Sequence, residues 1–144
     1  MWLVADPLVI HADLMLFLTG WFREALAARP ESYCQGVVVT HQEPSGDLPE
    51  RCLVIRVDGG PDTSILTAER DVGLSILAGT KENPQEAIQL ALMVHALRSQ
   101  IPGLEPGNPV AAVLSSNGPF AVVETQPVAR QYITLVLGVV GTLL

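Results

Sequence analysis

Charged residues are scarce in this chain, making up 16% of its 144 residues against 49% hydrophobic ones. A domain of this size still exposes a large surface on folding, so the shortage of charge leaves apolar surface that something besides its own core must cover. Basic residues are scarcer still, eight Lys and Arg against fifteen Asp and Glu, for a formal charge of −7. That balance repels phosphate and argues against tight, sequence-reading contact with nucleic acid. Long apolar runs are also missing. Leu14 to Phe22 has no charge until Arg23 but falls well short of the roughly 20 residues a helix needs to cross a bilayer. The stretch from Gln131 to Leu144 is longer, yet it is β-branched and broken by Gly138 and Gly141, the composition of a strand. No membrane is therefore expected. Asp6 and Asp13 stand where a signal peptide would carry Lys or Arg, so the chain reads as mature and intracellular. With only two cysteines, Cys34 and Cys52, in or beside strand-like segments, a disulfide framework is not expected, and both read as buried free thiols. Internal repeats and low-complexity tracts are absent, and residues 1–144 read as one domain.

What is present is a regular alternation of patterns. Asp6 as N-cap and Pro7 at the first helical position predict a helix from about Pro7 to Ala28, with Leu8, His11, Met15, Leu18 and Phe22 on one stripe. Gly36–Thr40 and Arg51–Val57 are β-branched and separated by a loop-like Gln42–Asp47, which predicts a hairpin with a long tip. Asp58-Gly-Gly-Pro-Asp62 breaks the ladder, and Thr63–Thr67 reads as a short edge strand. Val72–Ala78 alternates with period two, as a sheet strand does. Asn83 then offers an N-cap, Pro84 an N1 residue and Glu86 a capping-box partner to a second helix, which Pro102-Gly103 ends. That helix is apolar almost all round, from Ala87 and Ile88 through Leu92 and Met93 to Leu97, so one sheet face cannot cover it. Strands follow at Val110–Ser115 and Phe120–Glu124, with Asn117-Gly118 as a hairpin turn between them, and a last strand covers Arg130–Val140. The order α-β-β-(β)-β-α-β-β-β predicts an α/β (α+β) fold with a single mixed β-sheet and helices packed on it.

Catalytic patterns do not assemble. Gly79-Thr-Lys-Glu-Asn-Pro84 has one glycine where a phosphate cradle needs several, and its proline removes a donor. Cys34, His41 and Cys52 lack the paired spacing of a zinc site. His11 and His95 sit inside predicted helices, and Ser115-Ser116-Asn117-Gly118 lacks the frame of a nucleophile elbow, so its serines are assigned to the turn. Asp58, Asp62, Glu69 and Asp71 crowd one break and could suggest a divalent-cation site, but the spacing fits a solvated acidic loop better. No catalytic residue, cofactor or metal ligand is assigned.

Two segments carry a resemblance: Asp58-Gly-Gly-Pro-Asp-Thr-Ser64, and Val72-Gly-Leu-Ser-Ile-Leu-Ala-Gly-Thr-Lys-Glu-Asn-Pro84. Continued through Asn108-Pro-Val-Ala-Ala-Val113, Asn117-Gly-Pro-Phe-Ala-Val122 and the strand that begins near Arg130, they resemble the tail terminator proteins of long-tailed phages, especially those of mycobacteria and related actinobacteria. The likeness spans about two-thirds of the chain; the N-terminal helix matches only in position and character.

The resemblance implies a virion structural protein, assembled in the host cytoplasm, whose subunits form a homo-oligomeric ring, typically a hexamer, on the head-proximal end of the tail tube. Such a ring ends tube polymerisation and then meets the head-tail connector or stopper. Its implied partners are therefore other copies of itself, the major tail tube protein, the connector and the tape measure protein. DNA passes through its lumen without specific binding, which suits the acidic balance. The polar tip, with His41, Gln42, Glu43, Asp47 and Glu50, is the expected partner-binding segment. Two other readings stand beside this one: a neck or head-completion protein of the virion, and a small oligomeric enzyme that uses a divalent cation at the Asp58–Asp71 carboxylates.

Overall fold

A computed structural model describes residues 7–144. In chain order its elements are β1 (Val9–Ile10), α1 (Leu14–Ala27), β2 (Val38–Thr40), β3 (Arg51–Gly59), β4 (Thr67–Ala78), α2 (Gln85–Leu97), β5 (Val110–Val122), β6 (Ala129–Val140) and β7 (Thr142–Leu143). Single 3-10 turns lie at Ser32–Cys34 and Arg98–Gln100. Five strands form one mixed sheet in the order β2-β3-β4-β6-β5, and β1 and β7 pair as a separate two-stranded ribbon. The fold is thus α+β, with both helices packed on the mixed sheet.

Strand periodicity decides which side of the sheet is filled. Along β6, Ala129, Gln131, Ile133, Leu135, Leu137 and Val139 are buried, while the residues between them are partly open. Their neighbours across the ladders include Val72, Leu74 and Ile76 of β4, which in turn face Leu53 and Ile55 of β3. Apart from Ala129 and Gln131, these side chains share one core with Leu14, Leu18, Phe22 and Leu26 of α1 and with Leu90, Ala91, Val94 and Leu97 of α2, so both helices lie on the same face. Each large apolar side chain fully buried there contributes about 1.5–3 kcal/mol over leaving it in water. Cys34 and Cys52 are buried free thiols, as expected, and burial pushes the pKa of both upward.

The structure departs from the sequence reading at five places. Helix α1 begins at Leu14, because the Asp13 carboxylate accepts the Leu16 N–H at 3.0 Å. Residues that a longer helix would have used are taken by the terminal ribbon, in which Val9 pairs with Leu143 and Ile10 with Thr142. Leu8 and His11 therefore precede the helix, and the expected cap Asp6 lies outside the described residues. Strands β2 and β3 run parallel, not as a hairpin. Ten residues are more than a tight hairpin needs, and the 41–50 segment uses its length to carry the chain back to the start of β3.

Thr63–Thr67 is a turn rather than an edge strand: the N–H groups of Thr63 and Ser64 both donate to the Thr67 carbonyl, and the Thr67 hydroxyl bonds the hydroxyls of both. The long strand β4 starts only at Thr67. At the start of α2 the cap position is Pro84, without a side-chain cap bond, so the expected capping box does not form. Glu86 instead pairs with Arg51 of β3, and Asn83 closes a turn with Thr80. Finally, Asn117-Gly118 is not a hairpin turn. β5 continues through it, and β6 is long enough to pair with both halves, Asn117 facing Thr134 and Phe120 facing Tyr132. A two-residue hairpin there would need the next residue's N–H to close it, and that residue is Pro119. Gly118, at φ +103°, takes up the extra length as a bulge, close against the Tyr132 carbonyl.

Candidate functional site

With both helices on one face, the opposite face of the sheet is exposed over β5 and β6. The alternation sends Arg56 and Asp58 of β3, Asp71 and Gly73 of β4, Tyr132, Thr134 and Val136 of β6, and Phe120 and Val122 of β5 to this side. Phe120 remains 44% exposed although its ring meets Tyr132 edge-on, and Leu114, Val122 and Val140 are likewise open to solvent. Leu114 lies over Gly138, which places it on the same side. Part of the apolar surplus visible in the composition lies here, along the β5 edge, while Leu8, Leu16, Ile65 and Leu104 are exposed elsewhere.

At the opposite end of that face the sheet is covered by the 41–50 segment. Cys52 and Leu77 point away from the helices, yet both are fully buried. Glu43 pairs with Arg130, the residue that follows Cys52 and Leu77 in the same row across the sheet, so the segment passes over both. Arg130 also donates to Glu124 at 2.6 Å, and the side chains of Arg130 and Glu124 are only 16% and 12% exposed. Burial works against the Arg130 charge, but its bonds to Glu43 and Glu124 outweigh that and raise its pKa; the Arg130 hydrogen bond holds Glu124 below the usual carboxylate range. Beneath them, burial first and the Glu43 carboxylate second push the Cys52 thiol up to about 11 against the opposing pull of Arg130.

The five residues expected to bind a partner are all exposed but do not form one patch. His41 lies at the first turns of α1, beside Asp13, Leu16 and Thr19. Gln42 donates its N–H to the Thr40 hydroxyl, at 3.3 Å, and Glu43 is held by Arg130. Asp47 and Glu50 line a groove of about 630 Å³ with Gly79, Thr80, Glu86 and the 126–128 turn, at the rim where β3 begins and β4 ends. The tip is thus folded back across the sheet rather than projecting from it.

Sequence reasoning did not single out Arg130, Glu124 or the edge residues Leu114 and Phe120. For the edge, the signal was present: once Pro119 rules out a hairpin, Val110–Val122 is one long strand with apolar residues on both sides.

One cluster has the outline of a nucleophile and base. His95 Nε2 lies 3.4 Å from the Ser116 hydroxyl, and Arg98 Nη1 lies 3.3 Å from His95 Nδ1. A guanidinium can only donate, so the network assigns Nδ1 as acceptor and leaves the ring proton on Nε2, directed at the serine. A base that activates Ser116 would need Nε2 free to accept, the reverse arrangement. The two serines lie within β5 instead of serving a turn.

The acidic break is divided by arginines: Asp58 pairs with Arg56 at 2.9 Å, and Asp62 lies 3.9 Å from Arg70. Among the described residues, no three His, Cys, Asp or Glu side chains converge as a metal site. In the Gly79–Pro84 stretch, the Thr80 and Asn83 amides donate to each other's carbonyls and the Lys81 N–H donates to Pro127, so these donors are spent within the fold. No helix among the described residues is long and apolar enough to cross a membrane. No protein-family model and no curated protein matches the chain.

Proposed function

We propose that this chain is a structural subunit of a phage virion, forming a ring, typically of six copies, that caps the head-proximal end of the tail tube, ends its polymerisation and offers the surface to which the head joins. The observation that carries this reading is the sheet covered by helices on one face and bearing exposed apolar side chains along β5 and the end of β6 on the other. An exposed apolar surface of this kind marks contact with another chain, and the scarcity of charge across the molecule has the same cause. The segments that resemble tail terminators support it further. They make up the β3–β4 turn, most of β4, the lead into α2 and both halves of β5, all within or beside that sheet.

In this role the chain binds without catalysing. The 41–50 segment, with Asp47 and Glu50 on one rim, is the proposed contact with the tube or connector. The acidic balance suits a lumen through which DNA slides. A neck or head-completion protein is of similar size and also joins rings, and tube capping separates the two roles.

The test is to add the purified chain to growing tail tubes and measure their length by electron microscopy. Elongation should stop at the ring-bound end, and particles made without the chain should carry tubes of uncontrolled length unattached to filled heads. Uniform, attached tails in its absence rule the reading out. Asp47→Lys with Glu50→Lys, both exposed on the groove rim, should weaken docking on tubes and leave the chain folded.

A further inference from the structure

We infer that the pocket of about 350 Å³ between the C-terminal turn of α2 and β5 is a carboxylate-binding site, with Arg98 and Ser116 as its donors. This goes beyond the role proposed above and requires neither a ring nor a tail tube. Arg98, Ser99, Pro102, Val113, Ser115 and Ser116 line the pocket, so a cation and hydroxyls meet there without an Asp or Glu. In a chain of formal charge −7, a pocket with a cation and no carboxylate selects for anions.

The use each arginine makes of its guanidinium separates Arg98 from the others. The edge formed by Nε and Nη2 is the one that grips two oxygens side by side. Arg29 turns it to both oxygens of Glu31, Arg130 to Glu124 and Glu43, Arg51 to Glu86 and Glu50, and Arg56 to Asp58 and the Tyr132 hydroxyl. Arg98 uses its opposite end. Its Nη1 donates to the His95 carbonyl at 2.5 Å and lies 3.3 Å from His95 Nδ1, while Nε and Nη2 have no acceptor among the described residues. The guanidinium is therefore pinned with its gripping edge unused, and a ligand need not bear the cost of ordering it.

His95 ties the second donor to the first. With Nδ1 accepting from Arg98, the Nε2 proton is directed at the Ser116 oxygen, 3.4 Å away, and the serine hydroxyl keeps its own proton for an outside acceptor. The Ser99 hydroxyl is spent on the Ala96 carbonyl, at 3.2 Å, and Ser115 stands opposite Val136, on the side of the sheet that faces away from α2. A carboxylate suits this arrangement better than a phosphate. The carbonyls that end α2 carry partial negative charge, and one guanidinium set against them balances one negative charge rather than two. The planar carboxylate also matches the Nε–Nη2 edge, and Pro102 and Val113 offer an apolar wall to the carbon that bears it.

Nuclear magnetic resonance of the Arg98 Nε–H group tests the site. Acetate exchanged for chloride at constant ionic strength and neutral pH should shift that signal saturably, and inorganic phosphate should bind more weakly. Arg98→Lys keeps the charge but loses the two-pronged edge, and Ser116→Ala loses the hydroxyl; each should weaken acetate binding about fivefold, the effect of one hydrogen bond. Arg98→Gln should abolish it. The backbone amides of Ser99 and residue 116 report binding in the arginine variants, and circular dichroism checks that each is folded. Ser116 is exposed, so its variant keeps the test open if Arg98→Gln unfolds. Acetyl-glutamate amide and acetyl-glycine separate the sources of the carboxylate. Tighter binding of the first than of acetate assigns the site to an acidic side chain of a partner, and of the second to a chain terminus; both support the inference. An Arg98 signal that does not move, phosphate that binds tighter than acetate, or acetate affinity unchanged by the arginine substitutions overturns it.

Discussion

Glu43 and Arg130 are separated by 87 positions in sequence and joined by an ion pair across the bare face of the sheet. Through it a polar loop is tied over two buried side chains, Cys52 and Leu77, that no helix covers. Replacing Glu43 by Ala should cost less than about 1 kcal/mol, as expected of a partly exposed pair. It should nevertheless free the loop, so that Cys52 reacts with a disulfide reagent faster than in the wild type under native conditions. Arg130→Ala should cost more, about 2–3 kcal/mol, because it leaves the Glu124 carboxylate buried without its cation. Urea denaturation and thiol kinetics on the two variants check the order.

The two helix starts give opposite expectations for residues of similar cap preference. Asp13→Ala removes the acceptor of the Leu16 N–H and should destabilise the chain by about 1 kcal/mol. The Asn83 side chain caps nothing in α2, so Asn83→Ala should change stability by less than about 0.5 kcal/mol. Equal losses in the two variants would mean that Asn83 does cap the helix in solution.

Acid should weaken the fold in two steps. The pKa of His95 is lowered, by burial first and then by Arg98, and that of Glu124 is lowered by its bond to Arg130. A group whose folded pKa lies below its unfolded one stabilises the fold above the unfolded value and loses that contribution as pH falls through the folded value. The His95 contribution is thus complete above about pH 6.5 and that of Glu124 above about pH 4.5, and both decline on acidification below those points. Denaturation midpoints measured from pH 8 to pH 3 should fall less steeply in the upper window for His95→Gln and in the lower for Glu124→Gln. Nitrogen chemical shifts of His95 at pH 7 should report the neutral ring protonated on Nε2.

The parts of the fold legible in the sequence were those governed by periodicity. β6 alternates without interruption, and α2 is one apolar run set between Pro84 and Pro102, so each appeared with nearly its observed bounds. What local pattern could not decide was pairing. Parallel β2 and β3 and an antiparallel hairpin share the same β-branched runs, and only the distance the 41–50 segment travels separates them. Capping failed at Asn83 because a competing partner, Arg51, lies 35 positions away and claims Glu86 through the fold. The candidate surface was legible as a surplus of apolar residues but not as a place. Locating it required knowing that α1 and α2 share one face, which no local signal encodes.

Two glycines on the sheet separate backbone constraint from side-chain crowding. Gly60 lies in the β3–β4 turn at φ +151°, and a Cβ there would stand 2.2 Å from the Glu69 carbonyl oxygen, an atom fixed by the backbone. Gly60→Ala must therefore displace the turn and should cost about 2–4 kcal/mol. At Gly73 the obstacle is the Tyr132 hydroxyl, 2.1 Å from an added Cβ, and it sits at the end of a side chain that can swing aside. Gly73→Ala should cost about 1 kcal/mol, the loss of the Arg56–Tyr132 hydrogen bond. Calorimetry on the two variants distinguishes these effects: the first should lose clearly more stability than the second.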